Sequence, residues 1–441
     1  MFFLNRRPPL NCRKPMLNRQ KCAFWVVLGL FNSPLLVNSA LAQRLPAKIT
    51  LDQAIELAIE HNHGLLAART VIAQNQGAEI QANVRPNPTL FTDWEYLPLV
   101  PTGGGLGSYL HDSTEGDIGI SYLFERGQKR QHRLQAAKDT TEVTRSTIHD
   151  NERTLAFQTA QLYITAQLAD ATLDLARQDL KSFQSTVDIS ESQFKAGGIS
   201  ENDYLQIKLQ MVQFQQDVEQ GELSKAQALS DLRQQLGYES VPSEYDIAET
   251  LEYRPVVLKL DDLQMKALEN RPDLRAAQLG ISAAKSQYGL AKANGKQDVS
   301  VSGNYSHVNA ISAVTFSVAV PLPIFDRNQG NIAQTRAAIA QAQETAKMTN
   351  GQVLTDVRDA YEGVTSSDRV VKIFTGGARE NALKSRDISE YAYRRGAIAL
   401  LDLLNAERGY RATELAYRQA VAAYVTALEQ LREAVGTRSL I

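Results

Sequence analysis

Apolar and polar positions along this chain follow two rhythms. Between residues 314 and 322, Val314, Phe316, Val318, Val320 and Leu322 occupy every second position, with Thr315, Ser317 and Ala319 between them. That alternation predicts a strand with one apolar face. It ends at Pro321 and Pro323, each of which removes a ladder donor. After "FDRNQGN" the chain becomes an Ala- and Gln-rich run with apolar residues three and four apart, the spacing of a helix. Ile118, Ile120, Tyr122 and Phe124 alternate in the same way with Gly119, Ser121 and Leu123, and Val299, Val301 and Tyr305 with Ser300, Ser302, Asn304 and Ser306. Four strands are expected, at about 88–97, 117–125, 298–308 and 313–323, each with one apolar and one mainly polar face. The pattern suits the wall of a transmembrane barrel, with Trp94, Tyr96, Tyr122 and Tyr305 as interfacial aromatics. It suits a water-soluble sheet packed on helices equally well.

The helical rhythm separates these alternatives. From Gln128 to Phe194 and from Gln329 to Tyr393 no proline interrupts the pattern, and at 1.5 Å per residue each run would reach roughly 100 Å. No ordinary globular domain is that wide. Stretches such as "NIAQTRAAIAQAQETA" carry narrow stripes of Ala and Ile between Gln, Arg and Glu. A helix that touches neighbours along its flanks and meets water on two faces needs this composition. A tube of helices around an aqueous lumen supplies that setting, with "YLFERGQKRQ" and "PLPIFDRNQGN" turning the chain from strand to helix at the membrane edge.

The chain also repeats itself. Leu51, Asp52, Ala58, Glu60, Leu65, Ala67 and Ala68 recur 209 positions later, from Leu260 to Ala277. Phe124, Arg126 and Gln128 recur 201 later, and Gly197, Ile199, Asp203, Leu205, Leu232, Arg233 and Gly237 recur 199 later. The first change of offset falls where copy one has the longer loop "PLVPTGGGLGSYLHDSTEG". The second falls inside helix, where Gly376 and Gly377 mark a local distortion. The expected organisation is a signal segment at 1–42, a first copy at 43–237, a linker at 238–259, a second copy at 260–436 and a tail at 437–441. Each copy reads helix, strand, loop, strand, very long helix, glycine turn, long helix. The fold class is mainly α with a small transmembrane β part, and four strands per chain cannot close a barrel alone.

Charge and cysteine content narrow the function. Lys and Arg number 47 against 49 Asp and Glu, so nothing electrostatic points to nucleic acid. The start is basic, then apolar ("CAFWVVLGLF"), then small ("NSALAQ"), which reads as a signal peptide cleaved after Ala42, with Met1 or Met16 as the start. Cys12 and Cys22 fall in that segment, neither in the small-residue setting of a lipoprotein site, which leaves the mature chain without disulfides or thiolate metal sites. No later apolar run approaches the roughly 20 residues of a membrane-spanning helix. Any crossing must use strands.

In its duplicated strand–helix architecture the sequence resembles the outer membrane efflux protein family, the TolC-like channels of tripartite pumps, over essentially the whole mature chain. "PLPIFDRNQGNI" is most similar to the branch serving cobalt, zinc and cadmium or copper export. The resemblance implies a homotrimer with a twelve-stranded barrel in outer-membrane lipid and a long periplasmic α-helical barrel. It also implies a periplasmic adaptor, an inner-membrane transporter of the proton-driven resistance-nodulation-division type, and no cofactor. It makes "FKAGGISENDYL" and "YRRGAIALLDLL" the adaptor-docking tips, with Lys195, Gly197, Gly198, Ile199, Arg394, Arg395, Gly396, Ala397 and Ile398. Solvated charges flanking a turn are the plainer account of the same basic residues. The barrel-to-helix transition is expected at Phe124, Arg126, Pro321, Pro323, Phe325, Asp326 and Arg327. Asp402 aligns with the first of two constriction aspartates three residues apart; Asn405 replaces the second, and Glu407 is the candidate to compensate. Three copies of Asp402 around a narrow pore would favour cations. Helix-terminal capping is the plainer account of Asp402.

Other chemistry finds little support. "TGGGLGS" has no following Lys-Ser/Thr and reads as an extracellular loop. His61 and His63 point about 200° apart if helical, and His111, His132, His149 and His307 are scattered. No HExxH or GxSxG occurs, so no enzyme is expected. The charges along the helices read as solvated faces or neighbouring-turn pairs. Two other readings stay open: a duct for a type I protein-secretion system, and a soluble periplasmic coiled-coil scaffold.

Overall fold

The structure, a computed structural model, describes residues 48–95, 115–308 and 311–440. The expected signal segment, Tyr96, His111 and the glycine-rich segment 102–108 lie outside the described residues.

Copy one begins with β1 (Lys48–Ile49), α1 (Leu51–His61) and α2 (His63–Ala82). The single helix expected at the head of each copy is therefore two. Asn62 leaves the helical region at ψ 116°, and its carboxamide accepts from Leu65 N at 3.0 Å and donates to Gln235 O at 3.0 Å. A new N-cap costs less here than an unbroken helix, because it also ties α2 to the far end of the copy. Copy two repeats the break between α5 (Leu260–Asn270) and α6 (Pro272–Asn294). There Pro272 takes the first helical position and Arg271 donates to Ala434 O at 3.1 Å, at the positions equivalent to Asn62 and Gln235. Gly237 closes the first lock: its φ is 85°, and a Cβ would stand 2.5 Å from the His61 carbonyl oxygen.

Four strands form one antiparallel sheet: β2 (Thr89–Glu95), β3 (Glu115–Phe124), β5 (Val299–Val308) and β6 (Ile311–Ala319), in the order β2-β3-β5-β6. The short β4 (Asp246–Ile247) pairs with β1 instead, in parallel. β6 stops at Ala319, earlier than the alternation suggested, because Pro321 and Pro323 have no N–H to extend the ladder. Register sets Val301 opposite Tyr122 and Val318, and Ser302 opposite Ser121 and Ser317. One face thus collects Leu90, Trp94, Ile118, Ile120, Tyr305, Val314 and Phe316, all exposed. The other collects Ser121, Ser300, Ser302, Asn304 and Ser317. A bare apolar face with aromatics toward its ends is a lipid-facing wall. Among the described residues no helix is long and apolar enough to cross a membrane.

The hairpins follow each sheet half. Copy one supplies α3 (Lys129–Lys195), a single helix of 67 residues, and α4 (Glu201–Leu236). Copy two supplies α7 (Gln329–Ile373), α8 (Arg379–Arg394) and α9 (Leu400–Val435). A π-helical stretch, Phe374–Ala378, joins α7 to α8 with Gly377 at φ 120°. It lies in the interval where the repeat offset changes, so the glycine pair does mark the distortion.

The helices pack as two open rows. Next to the sheet the order is α2, α3, α6, α7; beyond, it is α4, α3, α9, α8, with α7 also against α9. α3 runs through both: Thr144 accepts from Asn75 of α2 at 2.8 Å in the first, and Asp179 meets Arg411 of α9 in the second. β1, β4 and the linker cover one face of these rows. Tyr163 of α3 donates to Ile49 O at 2.9 Å and Tyr424 of α9 to Arg254 O at 3.0 Å, each rooted in the buried cluster of its own copy.

Candidate functional site at the hairpin tips

Both hairpins reverse by the same device. α3 ends at Lys195, Gly197 adopts φ 75°, and Gly198 N donates back to Gln193 O at 2.7 Å. In copy two Gly396 adopts φ 70° and Ala397 N donates to Ala392 O at 2.9 Å. A left-handed residue followed by this longer bond is a Schellman end, and glycine pays no Cβ penalty there. Ser200 then caps α4 by accepting from Asp203 N at 3.1 Å. In copy two the cap is reversed: the Asp402 carboxylate accepts from Ala399 N at 3.3 Å.

The predicted tip residues sit together, with the glycines, Ala397 and the basic side chains exposed and Ile199 and Ile398 half-buried. The basic residues are already partnered within their helices. Lys195 pairs with Glu191 at 2.7 Å, Arg394 pairs with Glu390 at the equivalent position, and Arg395 lies over the Tyr391 ring at 4.7 Å. Behind the tips Phe183, Ile207, Phe214, Tyr393, Leu400, Leu403 and Leu404 form a small core that joins the two hairpins.

Asp402 and Asn405 share the exposed side of α9. Glu407 does not join them. It is half-buried on the other side, in a charged layer with Arg386 of α8, Arg411 of α9 and Asp179 of α3. Burial pushes the Glu407 carboxyl up to about 7, with Asp179 and Glu390 adding to the rise and Arg386 and Arg411 opposing it. Burial likewise pushes Asp179 up to about 6 against the pull of Arg411 and Arg386. At the centre, Arg411 Nε donates to Asp179 Oδ2 at 3.1 Å, its other arm reaches Asp217 of α4, and its guanidinium lies over Phe214 at 4.4 Å. Arg379 and Glu414 form a further two-bond pair at 2.8 and 2.9 Å between α8 and α9.

A carboxyl whose folded pKa is raised favours the fold below its unfolded value, and the benefit is lost as pH rises through the folded value. For Glu407 that window runs from its ordinary 4.5 to about 7. The helical part is therefore expected to melt at a higher temperature at pH 5.5 than at 7.5. Glu407→Gln, a mimic of the protonated acid, should reduce the difference; circular dichroism at both pH values checks this, and an unaltered difference would remove Glu407 as its source.

The charged layer departs from the solvated faces and neighbouring-turn pairs expected of helix charges, because its partners come from three different helices. One signal was available: the repeat counterpart of Arg411 is the apolar Val212.

The transition residues form two cuffs around the sheet's helical edge. Arg126 N donates to Asp298 Oδ1 at 2.9 Å, and Lys129 pairs with Asp298 at 2.7 Å. In copy two Arg327 Nε donates to Pro323 O at 3.1 Å and Asp326 accepts from Asn328 N at 2.8 Å. Phe124 and Phe325 remain exposed beside them, and Pro321 follows the last strand residue by two.

Comparison with known proteins agrees with this arrangement. The family described as "Outer membrane efflux protein" matches residues 54–238 and 263–437. The cobalt-zinc-cadmium resistance protein CzcC of Cupriavidus metallidurans is 23% identical over 82% of this chain and 83% of its own length. The cation efflux system protein CusC of Escherichia coli O157:H7 is 26% identical over 81% of this chain and 80% of its own. The crystal structure of the Campylobacter jejuni CmeC outer membrane channel superimposes with a TM-score of 0.72 at 14% identity, over 88% of this chain and 85% of that one, which speaks to the fold.

Proposed function

This chain belongs to the outer membrane efflux protein family, and from that premise we propose that three copies close into one continuous duct. The chain is an outer-membrane channel, the passive exit of a tripartite efflux system whose energy comes from an inner-membrane transporter. The observation that carries closure by several copies is that every layer is open, with one end from each copy of the repeat, while the number three rests on the family. The sheet ends in β2 and β6, the first helical row in α2 and α7, the second in α4 and α8. Free strand edges demand a partner. Four strands are half of the roughly eight that the smallest known barrels need. The helical ends are apolar to match: Leu205, Leu209, Val212 and Leu223 line the free side of α4, and Ile388 and Tyr391 stand exposed on α8. Joining first-copy ends to second-copy ends all round leaves no edge. The mass of the detergent-solubilised particle tests this, with three chains and ion conduction across a planar bilayer as the expected result. A folded monomer in plain buffer that never conducts ends the reading.

The tips then face a periplasmic adaptor, through Lys195, Arg394, Arg395 and the exposed turn glycines, and Asp402 borders the constriction. Asp402→Asn is expected to lower the cation-to-anion permeability ratio in single-channel recordings by up to about fivefold. That corresponds to about 1 kcal/mol for a unit charge close to a permeating ion in water. Unchanged selectivity would place Asp402 off the conducting surface. Heavy-metal cations are the proposed passengers, because CzcC and CusC carry cation names, with selection made by the transporter. No catalytic step is part of this reading.

A further inference from the structure

Every seventh residue of α4 from Gln206 to Gln234 is glutamine, at 206, 213, 220, 227 and 234, and all five are exposed. A seven-residue interval is nearly two helical turns, so the five carboxamides form one line along about 40 Å of helix. The other sides of α4 are assigned. Ile207, Phe214, Gly221 and Ala228 are buried toward α3, where a Cβ on Gly221 would stand 3.1 Å from Leu173. Lys225 turns to Asp170 at 2.6 Å and to Asp246 of β4 at 3.1 Å, which marks the side covered by the β1–β4 pair. The apolar side with Leu205 and Leu209 points away from α3. The glutamine line is left on the side opposite β4.

α3 carries a matching line. Thr147, Asn151, Thr154, Gln158, Gln161 and Thr165 recur at alternate intervals of four and three, without a charge among them. They lie across the helix from Tyr163 and Gln167, which bond to Ile49 O and Glu249 O on the covered side. The two lines meet at one concave surface: Thr165 of the α3 line and Gln220 of the α4 line, with Thr172, Ser224 and Gln419 and the apolar Leu168, Leu175 and Leu415, line a cavity of about 680 Å³. Its charged members are Arg408 and the Arg411, Asp179 and Asp217 cluster; Asp217, which accepts from Gln213 Nε2 at 3.0 Å, and the exposed Asp231 are the two carboxylates on the same face of α4, each four residues after a glutamine of the line.

We propose that this line of carboxamides and hydroxyls is the conducting wall of the periplasmic tunnel, and that its neutrality lets hydrated solutes of either charge pass without being held. This rests on the duct reading above. A carboxamide offers both donors and acceptors, so it can meet the water shell of a cation or an anion. A run of carboxylates in the same place would retain a multivalent cation, and conduction requires that each site release what it binds. Charge selection is then concentrated at the tip end, around Asp402 and Arg408, with Asp231 the exposed carboxylate on this face toward the other end of α4.

Cysteine substitution tests the assignment, because no cysteine follows Cys22 and one introduced thiol per copy is addressable. Gln213→Cys and Gln220→Cys place thiols on the line; Gln215→Cys and Glu222→Cys place them two residues along, about 200° around the helix. Each full-length variant is incorporated in a planar bilayer and treated with an anionic or a cationic methanethiosulfonate. Modification at 213 or 220 is expected to change the cation-to-anion permeability ratio by about twofold or more, upward for the sulfonate reagent and downward for the ammonium reagent. Modification at 215 or 222, verified by mass, should leave the ratio unchanged. A ratio that responds at 215 and 222 but not at 213 and 220, or responds at none or at all four, overturns the wall assignment while the duct stands. A parent protein that never conducts overturns the duct reading first.

Discussion

Deleting residues 194–200 is expected to leave the protein assembled in the outer membrane and to abolish export. The segment holds the last two residues of α3, both tip glycines and Ser200, the cap of α4. It lies some 65 residues along α3 from the sheet, about 100 Å at the helical rise, so strand pairing and the first helical row do not feel its loss. The tip core keeps Phe183 and Phe214, whose rings stand 4.6 Å apart, and Leu403. What disappears is the Lys195–Glu191 pair, the stacking of Phe194 on Tyr204 at 4.9 Å and the shape of the first tip. Membrane fractionation and a cell-based efflux assay separate the two consequences. Loss of insertion would mean that the barrel strands are misplaced, and retained export would mean that the first tip is not a docking surface.

Arg411→Ala is expected to cost about 3 kcal/mol at pH 8, the scale of breaking a buried ion pair from one side. Arg411 is the cation between Asp179 of α3 and Asp217 of α4, so its removal strips charge compensation from a carboxylate whose side chain is only 5% exposed. The loss falls where copy one's hairpin meets copy two's, and α9 should loosen from α3 and α4 before the rest of the helices melt. Acid should moderate the damage. Asp179 already sits at about 6, and without Arg411 it would hold its proton at higher pH still, so the variant's deficit should shrink toward pH 5. Thermal melts at the two pH values, with limited proteolysis near the tips, check both statements. Asp179→Asn added to Arg411→Ala should recover part of the loss, and an Arg411→Ala protein as stable as its parent at pH 8 would contradict the clamp.

The glycines at 197, 377 and 396 show how far a local signal reaches. Each marks a place where the backbone leaves helical geometry, and each has positive φ. Asn62 shows the opposite: nothing in "EHNHG" distinguishes a short interruption from a continuous helix, and the break is stabilised by Gln235, 173 residues away. Glu407 was legible as a carboxylate near a constriction aspartate. Its direction depended on what packs against α9, and the partners on α3 and α8 turn it inward.

Period and order are properties of neighbouring residues, and so the amino-acid sequence by itself determined the duplication, the four amphipathic strands, the lengths of the hairpin helices and the residues at their tips. Tertiary structure alone decided which rows the helices join, which ends remain open and where charge is buried. Arg411 meets Asp179 and Asp217 across 232 and 194 residues because of the way α9 crosses the first hairpin. No spacing along the chain encodes that crossing; it follows from how the apolar stripes of several helices are buried at once.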